Sequence, residues 1–341
     1  MLRAGGVKEH NTVKDPGDAE NRASTLPHKD TGSCTESVNV VFTNESDYVA
    51  IPSKGAFMAE PQTLMTGIAF GESPRWHDHR LWFSDWVAQE IIAVDLDGTS
   101  EVMVRVPFPS IPMCIDFLPD GRLLVVSTHE RLLLRREAGG SLVTQADLSG
   151  LSGLGFNEIV VDGRGNAYIN GGGFNFMAGE KFAPGIVALV TPDGSARQVA
   201  DGIAFPNGMV VTPDNSTLIV AESYGKRLTA FDIATDGSLS NRRVWADLAG
   251  GVPDGICLDA ENAIWYGDVP NKRCVRVREG GEVLQTIELD RGCFACALGG
   301  ADMRTLFMVA TEWRGPEHMA EGPRTGRILT IEVTVPGVSH E

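Results

Sequence analysis

Four side chains with an oxygen donor stand at comparable points along the chain, each a few residues ahead of a turn. They are Glu72 in GESPRWHDHR, Asn157 in GFNEIVVDGRG, Asn207 in FPNGMVVTPDN and Asp254 in VPDGICLDAEN. Two carboxylates and two amides, without histidine or thiolate, are donors that suit a hard divalent cation. Each residue alone would be interpreted as a turn, a cap or a solvated side chain. Their shared register favours a single metal site.

The register comes from an internal repeat in which a turn is followed by an apolar strand. The repeat begins near Ala59 and has a period of roughly 40–50 residues, the range of a four-stranded propeller blade. The recurring segments are HDHRLWFSD (77–85), PDGRLLVVS (119–127), GRGNAYIN (163–170), PDNSTLIVAES (213–223), AENAIWYGD (260–268) and ADMRTLFMVA (301–310). Further apolar strands precede and follow each segment, and no useful amphipathic helical period interrupts them. The sequence therefore predicts an all-β, six-bladed β-propeller with four antiparallel strands in each blade.

The ring of blades needs a strand from each end of the propeller to close. The final segment RILTIEV (327–333) has no following strand of its own, and PQTLMTG (61–67) can supply it. Closure of this kind leaves no free sheet edge. We therefore expect a propeller over residues 59–337, with a double β-barrel or an irregular sandwich as the structural alternatives. Residues 1–58 are polar and are expected to form a partly disordered extension, with one short strand in VNVVFTN.

Alignment of the six units on their turns shows what each blade places in the register of Asn207. Blade two has Met113 in IPMCIDFLPDG, and blade six has Ala295 in CFACALGGADM. In blade one the match is offset by one residue, at Glu72. Because the first strands of all blades run beside the central axis, we expect the polar residues at this register to converge in one funnel.

Three residues are expected to contact a substrate in this funnel: Met113, Asn157 and Phe174. Phe174 belongs to GGGFNF (171–176), a flexible and partly apolar loop that either lines the mouth of the funnel or only allows a bulge. The segment EWRGPEHM (312–319) is a second loop that the sequence places, on weaker grounds, at the rim of the funnel.

The amino-acid composition indicates which classes of binding partner are expected. The net charge is −16 at pH 7, with 45 Asp and Glu against 29 Lys and Arg. A nucleic-acid-binding protein would normally present a basic face, so nucleic acid is an unexpected partner. The chain has no run of about 18 apolar residues that would cross a membrane. A small molecule is the expected partner, bound by a monomer or a small homo-oligomer.

Cysteine usage and the first residues bear on the compartment. The six cysteines are scattered and do not form a disulfide framework. Cys293 and Cys296 form a lone CxxC, interpreted as two buried thiols rather than as a redox or zinc site. The first 22 residues lack the apolar core of a secretory signal. We therefore expect a reducing, cytoplasmic location.

The motifs together resemble a known family. GESPRWHDHRLWFSD, FNEIVVDGRGN, FPNGMVVTPDNSTLIVAES and VPDGICLDAEN, in this order and each on its own blade, are similar to the SMP-30/gluconolactonase/luciferin-regenerating-enzyme family over about residues 59–335. The resemblance implies a six-bladed propeller with one divalent metal on its axis and hydrolysis of small lactones such as gluconolactone. It implies metal ligation by Glu72, Asn207 and Asp254, with Asp254 also the favoured base, and places Asn157 close to metal and substrate. The metal stays open among Ca²⁺, Zn²⁺, Mg²⁺, Mn²⁺ and Fe²⁺.

The sequence differs from that family at positions that contact the sugar in sugar lactonases. Gly155 stands where many sugar lactonases have an arginine, and Glu158 stands where aspartate is common. The segment GGGFN replaces a loop that carries a substrate-binding glutamate in animal members. The metal apparatus is thus kept while the polar substrate contacts differ, so a less polar lactone or ester is an alternative to a sugar lactone.

Three other functions remain open from the sequence. One is a related propeller esterase or phosphotriesterase that uses the same metal. Another is a calcium-binding propeller without catalysis, in which the ion only pins the blades together. The third is a condensing enzyme similar to strictosidine synthase, which would need a catalytic glutamate in another blade and a secretory signal, and neither of these is evident.

Overall fold

The computed structural model describes residues 60–107, 110–176 and 178–338. Within these ranges the chain forms 24 β-strands, a single 3₁₀ turn and no α-helix. The extension expected over residues 1–58, including its short strand, lies outside the described residues.

The strands form six antiparallel sheets of four, and five of these blades follow chain order from the axis outward. Blade one consists of β2 (Gly71–His77), β3 (Arg80–Asp85), β4 (Glu90–Val94) and β5 (Ser100–Arg105). Blade two consists of β6 (Met113–Phe117), β7 (Leu123–Ser127), β8 (Leu132–Arg136) and β9 (Leu142–Asp147). Blade three consists of β10 (Glu158–Val161), β11 (Ala167–Gly171), β12 (Gly185–Val190) and β13 (Ala196–Ile203). Blade four consists of β14 (Pro206–Val211), β15 (Thr217–Glu222), β16 (Arg227–Ile233) and β17 (Leu239–Asp247). Blade five consists of β18 (Pro253–Leu258), β19 (Ile264–Asp268), β20 (Arg273–Val277) and β21 (Val283–Glu288).

The sixth blade joins the two ends of the propeller. It consists of β22 (Gly292–Gly299), β23 (Thr305–Thr311), β24 (Gly326–Glu332) and β1 (Gln62–Ile68), in that spatial order. The first strand, β1, pairs antiparallel with β24. The predicted six-bladed propeller and its closure by an early strand are both confirmed.

The innermost strands surround the axis. Strands β2, β6, β10, β14, β18 and β22 contact one another in sequence, and β22 returns to β2. Because the blades share one topology, all six innermost strands begin at the same end of the axis. Residues far apart in sequence are brought together there.

The repeated turn between first and second strands has a local cause. In blade five the Asp259 carboxylate accepts hydrogen bonds from the backbone N–H groups of Glu261 and Ala263, at 2.9 and 3.0 Å. Asn262 takes the left-handed conformation inside this turn, with φ of 58°. Short polar side chains that bond to nearby backbone stabilise such turns. The turn signals in the sequence therefore mark real hairpins.

Apolar side chains fill the space between neighbouring blades. Trp76 of blade one stacks on Phe307 of blade six, with ring centroids 5.4 Å apart. On its other side, blade one places His77 and Trp82 against Phe117 of blade two, at 3.8 and 5.2 Å. The second strand of a blade is buried on both faces, as in β7, β11, β19 and β23, which explains its largely apolar sequence.

Two further features of the described residues bear on the sequence expectations. Their one helical turn, Pro316–His318, is too short to cross a membrane. Cys293 and Cys296 are buried free thiols, as predicted.

Candidate active site

Glu72, Asn157, Asn207 and Asp254 all line one cavity of about 520 Å³ where the innermost strands begin, here called the site cavity. Glu72 is only 4% exposed, and the other three side chains are partly buried. Residues from later in the same strands line a separate cavity at the opposite end of the axis. The structure thus brings together the four residues that the repeat register selects.

A β-bulge accompanies three of these four residues. Strand β2 carries one extra residue just after Glu72, and β14 and β18 carry one beside Asn207 and Asp254. Each of the three is the second residue of its strand. Bulges re-aim side chains and are common next to active sites. The one-residue offset of Glu72 in the sequence alignment is absent from the structure, because each of the three residues directly follows the residue that pairs with the last residue of the second strand.

Blades two and six differ from the alignment made on turns. The second residues of β6 and β22 are Cys114 and Cys293, in place of Met113 and Ala295. Strand β6 has no bulge, whereas β22 carries one just after Cys293. Met113 is fully buried, and its backbone oxygen accepts a hydrogen bond from Trp86 Nε1 at 2.8 Å. Met113 does not line the site cavity, whereas Cys114 does, so the structure gives no support to a substrate contact by Met113.

The glycines that follow Asn207 and Asp254 allow adjacent innermost strands to approach closely. A Cβ on Gly208 would lie 2.5 Å from the backbone nitrogen of Ile256 and 2.7 Å from the backbone oxygen of Asp254. A Cβ on Gly255 would lie 2.4 Å from the Cβ of Ala295. The Asn-Gly and Asp-Gly pairs, which suggested ordinary turns, therefore serve strand packing at the axis.

An acidic residue ends the second strand of blades one, four and five and fixes the loop that leads into the first strand. The carboxylates accept backbone N–H hydrogen bonds, namely Asp85 from Phe70 at 3.0 Å, Glu222 from Ala204 at 2.7 Å and Asp268 from Val252 at 3.3 Å. These bonds hold the backbone just ahead of the three bulged residues. Sequence reasoning missed these acids, although their recurrence at the ends of WFSD, IVAE and WYGD was an available signal.

The two carboxylates of the site share a strongly unfavourable environment for negative charge. Burial raises the pKa of Glu72 well above its ordinary value, and the charges of Asp254 and Glu158 raise it further. Burial also raises the pKa of Asp254, with Glu158 adding to the effect and a hydrogen bond from Asn207 opposing it. No Lys, Arg or His within the described ranges pairs with Glu72 or Asp254. Buried carboxylates without a counter-charge are costly unless they bind a cation or a proton.

Glu158, the third carboxylate at the cavity, does have a cationic partner. Its Oε1 accepts hydrogen bonds from Ser73 Oγ at 2.7 Å and from Arg75 Nη2 at 3.3 Å. Arg75 also lies 3.3 Å from Asp116 and donates to the backbone oxygen of Ile159 at 2.6 Å. Arg75 therefore ties blade one to blades two and three beside the site.

The two amides keep their oxygens available. Asn157 Nδ2 donates to the backbone oxygen of Pro206 at 3.3 Å. The Asn207 amide group bonds to Asp254, and its Nδ2 lies 3.5 Å from Ser223 Oγ. No donor from the described part of the chain bonds to either Oδ1. Asn170 further fixes this region, since its Nδ2 donates to the backbone oxygen of Asn207 at 2.6 Å.

This donor set fits a hard divalent cation. The buried Glu72 and the partly buried Asp254 lack a protein counter-charge. The amide oxygens of Asn157 and Asn207 are unengaged. Carboxylate and amide oxygens are the ligands such a cation prefers. Over residues 60–107, 110–176 and 178–338, no three His, Cys, Asp or Glu side chains cluster as a metal site. The fit therefore depends on the amides joining the two carboxylates.

The two loops predicted to lie near the funnel, GGGFNF and EWRGPEHM, both contribute residues to the site cavity, and the second also lines a neighbouring pocket. Phe174 lines the cavity with neighbours on its loop, and so do Trp313 and Met319. Glu312 and His318 line a small adjoining pocket instead.

Position 155 offers no room for a side chain. A Cβ on Gly155 would lie 2.0 Å from Thr128 Cγ2. Many sugar lactonases have an arginine at this position. Here the side chain of Thr128 occupies the space that the arginine would need.

The chain matches a known family and several of its members. The family region described as SMP-30/Gluconolactonase/LRE-like matches residues 70–312. The 6-deoxy-6-sulfogluconolactonase of Pseudomonas putida is 26% identical over 285 residues, which cover 79% of this chain and 93% of that protein. Regucalcin of Xenopus laevis is 26% identical over 282 residues, covering 76% and 90%. The structure of a calcium-binding protein, regucalcin, from Agrobacterium tumefaciens has a TM-score of 0.69 at 22% identity, covering 82% of this chain and 96% of that one. With more than half of its length inside the matched region, this chain belongs to the SMP-30/gluconolactonase/LRE-like family.

Proposed function

We propose that this protein is a divalent-metal-dependent lactonase. The observation that carries the proposal is the pair of carboxylates at one cavity, the buried Glu72 and the partly buried Asp254, without a protein counter-charge. Family membership supports lactone chemistry, since the relative from Pseudomonas putida is named as a lactonase. No nucleophile elbow of the GxSxG type is present in the sequence, which favours direct attack by water.

The cation would be held by Glu72, Asp254 and the Oδ1 atoms of Asn157 and Asn207. When bound, it would supply Lewis-acid polarisation of the lactone carbonyl. An oxygen-only donor set of this kind suits Ca²⁺, Mg²⁺ or Mn²⁺ better than a metal that prefers nitrogen or sulfur.

Asp254 is the base in this proposal. Its carboxylate takes a proton from the water whose oxygen attacks the carbonyl carbon. As the bond from that carbon to the ring oxygen breaks, Asp254 returns the proton to the ring oxygen, and the product is a hydroxy acid. The side chain of Asn207 lowers the pKa of Asp254 and so favours the ionised carboxylate that accepts the proton. Glu158 is held by hydrogen bonds from Ser73 and Arg75 and accepts no proton in these reaction steps.

Two isosteric variants test the proposal. Glu72→Gln and Asp254→Asn keep shape while removing charge, so each should lose metal binding and metal-dependent lactone hydrolysis without losing the fold. Bound metal is measured by elemental analysis, acid release at constant pH measures hydrolysis, and circular dichroism measures fold. Full activity in either variant after chelation and metal re-addition would refute the mechanism.

A binding protein without catalysis is the second candidate. It is favoured by the fold neighbour that is described as calcium-binding. In that case the same side chains, from blades one, three, four and five, would hold a cation that only stabilises the ring. Chelation would then lower the melting temperature, while no lactone, ester or organophosphate in a substrate panel would be hydrolysed.

A further inference from the structure

Two groups of aromatic side chains form opposite parts of the site cavity. The first group, here called the first wall, consists of Phe70, Trp86, Phe294 and Trp313. The second group, here called the second wall, consists of Phe174, Phe176, Phe205 and Tyr224. The pair Phe70–Trp86 flanks the first hairpin of blade one, and Phe205–Tyr224 flanks that of blade four. In a ring of six blades, blades one and four face each other across the axis.

The rings within each wall contact one another closely. In the second wall, Phe205 and Tyr224 stack with centroids 4.8 Å apart and an interplanar angle of 15°, and Phe174 lies 5.6 Å from Phe205. In the first wall, Phe70 lies 5.2 Å from Trp86 and 4.8 Å from Phe294. These spacings are those of favourable aromatic pairs, so each wall is a continuous apolar surface.

Both walls reach the surface. Tyr224 is 49% exposed and Trp313 is 36% exposed. Phe182, which lies outside the cavity, is 50% exposed and extends the second wall, with its ring 5.5 Å from that of Tyr224. A contiguous exposed aromatic surface at the rim of a cavity marks a binding site.

Few polar side chains in the cavity are available to recognise hydroxyl groups. None of its described lining residues is Arg, Lys or His. The Thr128 hydroxyl donates to the backbone oxygen of Phe156, and the Ser223 hydroxyl donates to that of Pro253 at 2.7 Å. Because the cavity lacks these cationic donors and its Thr128 and Ser223 hydroxyls are engaged, a polyhydroxylated ligand would replace only part of its hydrogen bonds with water, which is costly.

We propose that the two aromatic walls select lactones that carry a large apolar substituent, preferably an aromatic ring, over polyhydroxylated sugar lactones. This inference rests on the proposed lactonase function, since it names the substrate class of the same cavity. The lactone carbonyl would lie at the cation that Glu72, Asp254 and the two amides would hold, and the substituent would lie against the second wall.

The direct test compares two δ-lactones that share one ring, a phenyl-substituted lactone and glucono-δ-lactone. With metal-loaded protein and acid release as the readout, we expect kcat/KM to favour the phenyl lactone by about 50-fold, the factor that burial of a phenyl group supplies. Equal or better hydrolysis of glucono-δ-lactone would overturn the inference while leaving the lactonase function in place.

Variants of Tyr224 assign the preference to the wall. Tyr224→Ala should lower the ratio of kcat/KM for the phenyl lactone over its methyl counterpart by about tenfold, whereas Tyr224→Phe, which keeps the ring, should retain most of that ratio. Leu284→Ala changes an exposed apolar residue on blade five and is the control, with an unchanged ratio. An unchanged ratio in Tyr224→Ala as well would contradict a role for the second wall.

Binding of unreactive ligands separates this inference from the proposed chemistry. A phenyl-substituted δ-lactam should bind the protein and be detected by calorimetry and by the fluorescence of Trp86 and Trp313, and a polyhydroxylated δ-lactam should bind at least tenfold more weakly. If the phenyl lactam binds but no lactone is hydrolysed with any metal, the lactonase proposal fails and the ligand preference holds. If the two lactams bind equally, the preference fails whatever the hydrolysis results are.

Discussion

Gly208→Ala is the substitution that most directly tests how the propeller builds its site. The new Cβ would lie 2.5 Å from the backbone nitrogen of Ile256 and 2.7 Å from the backbone oxygen of Asp254. Backbone atoms cannot rotate away as a side chain can. Restoring an ordinary contact of 3.4 Å requires β14 to move about 0.9 Å away from β18. This movement would displace Asn207 and Asp254 from each other.

The expected cost follows from that displacement. Overpacking a close-packed interior costs about 1–3 kcal/mol of unfolding free energy, and the two backbone contacts place this variant at the upper end, about 3 kcal/mol. For a domain of this size, 1 kcal/mol corresponds to about 2–4 °C in melting temperature, so the variant should melt about 6–12 °C below wild type. Because the ligands shift by a large part of an ångström, metal affinity should fall about 10–100-fold.

Two measurements check this prediction, thermal unfolding of the chelated protein and calorimetric titration with Ca²⁺ or Mn²⁺. Gly150→Ala is the matched control, because a Cβ there meets nothing within 4 Å and should leave both values unchanged. If Gly208→Ala melts within 2 °C of wild type and binds the metal with undiminished affinity, the close approach of β14 and β18 does not position the site.

Two further predictions concern buried charge outside the four oxygen-bearing residues. Arg75→Met leaves two carboxylates without their cation and should lower the free energy of unfolding by about 3 kcal/mol, whereas Arg278→Met, in an exposed pair, should change it little in the same urea titration. Burial raises the pKa of Glu222. Hydrogen bonds, of which the one from Arg227 is the strongest, outweigh burial, so the pKa of Glu222 lies below its ordinary value. A depressed carboxyl pKa stabilises the fold above the unfolded pKa of about 4.5 and loses this effect as pH falls. Wild type should therefore lose more stability between about pH 5 and pH 3 than Glu222→Gln, and parallel losses would contradict the assignment.

Repetition in the sequence was enough to predict the fold. Turn residues such as Asp259 and Asn262 act locally, since the carboxylate bonds to backbone two to four residues ahead. Apolar strands of regular spacing between such turns define blades without any knowledge of long-range contacts. The lack of a partner for RILTIEV also predicted the closing strand, because a propeller cannot leave an open edge.

The site was predicted only in part. Glu72, Asn157, Asn207 and Asp254 were selected by register and do share one cavity. Met113 was selected by the same argument and is buried elsewhere. Met113 lies outside the cavity for a physical reason. β-Bulges add a residue in some blades and not in others, and a shift of one residue turns a side chain to the other face of its strand.

By itself, the sequence determined the period, the number of blades, the closure and the identity of four oxygen-bearing residues, since these depend on local turn chemistry and on repetition. Tertiary structure alone decided which of the residues at the blade fronts face one another. It also decided that Arg75 pairs with Glu158 and leaves Glu72 and Asp254 without a counter-charge. Finally, it decided that aromatic rings from opposite blades line the cavity that holds these carboxylates. These outcomes depend on distances across the axis between residues far apart in the chain, and no local pattern encodes such distances.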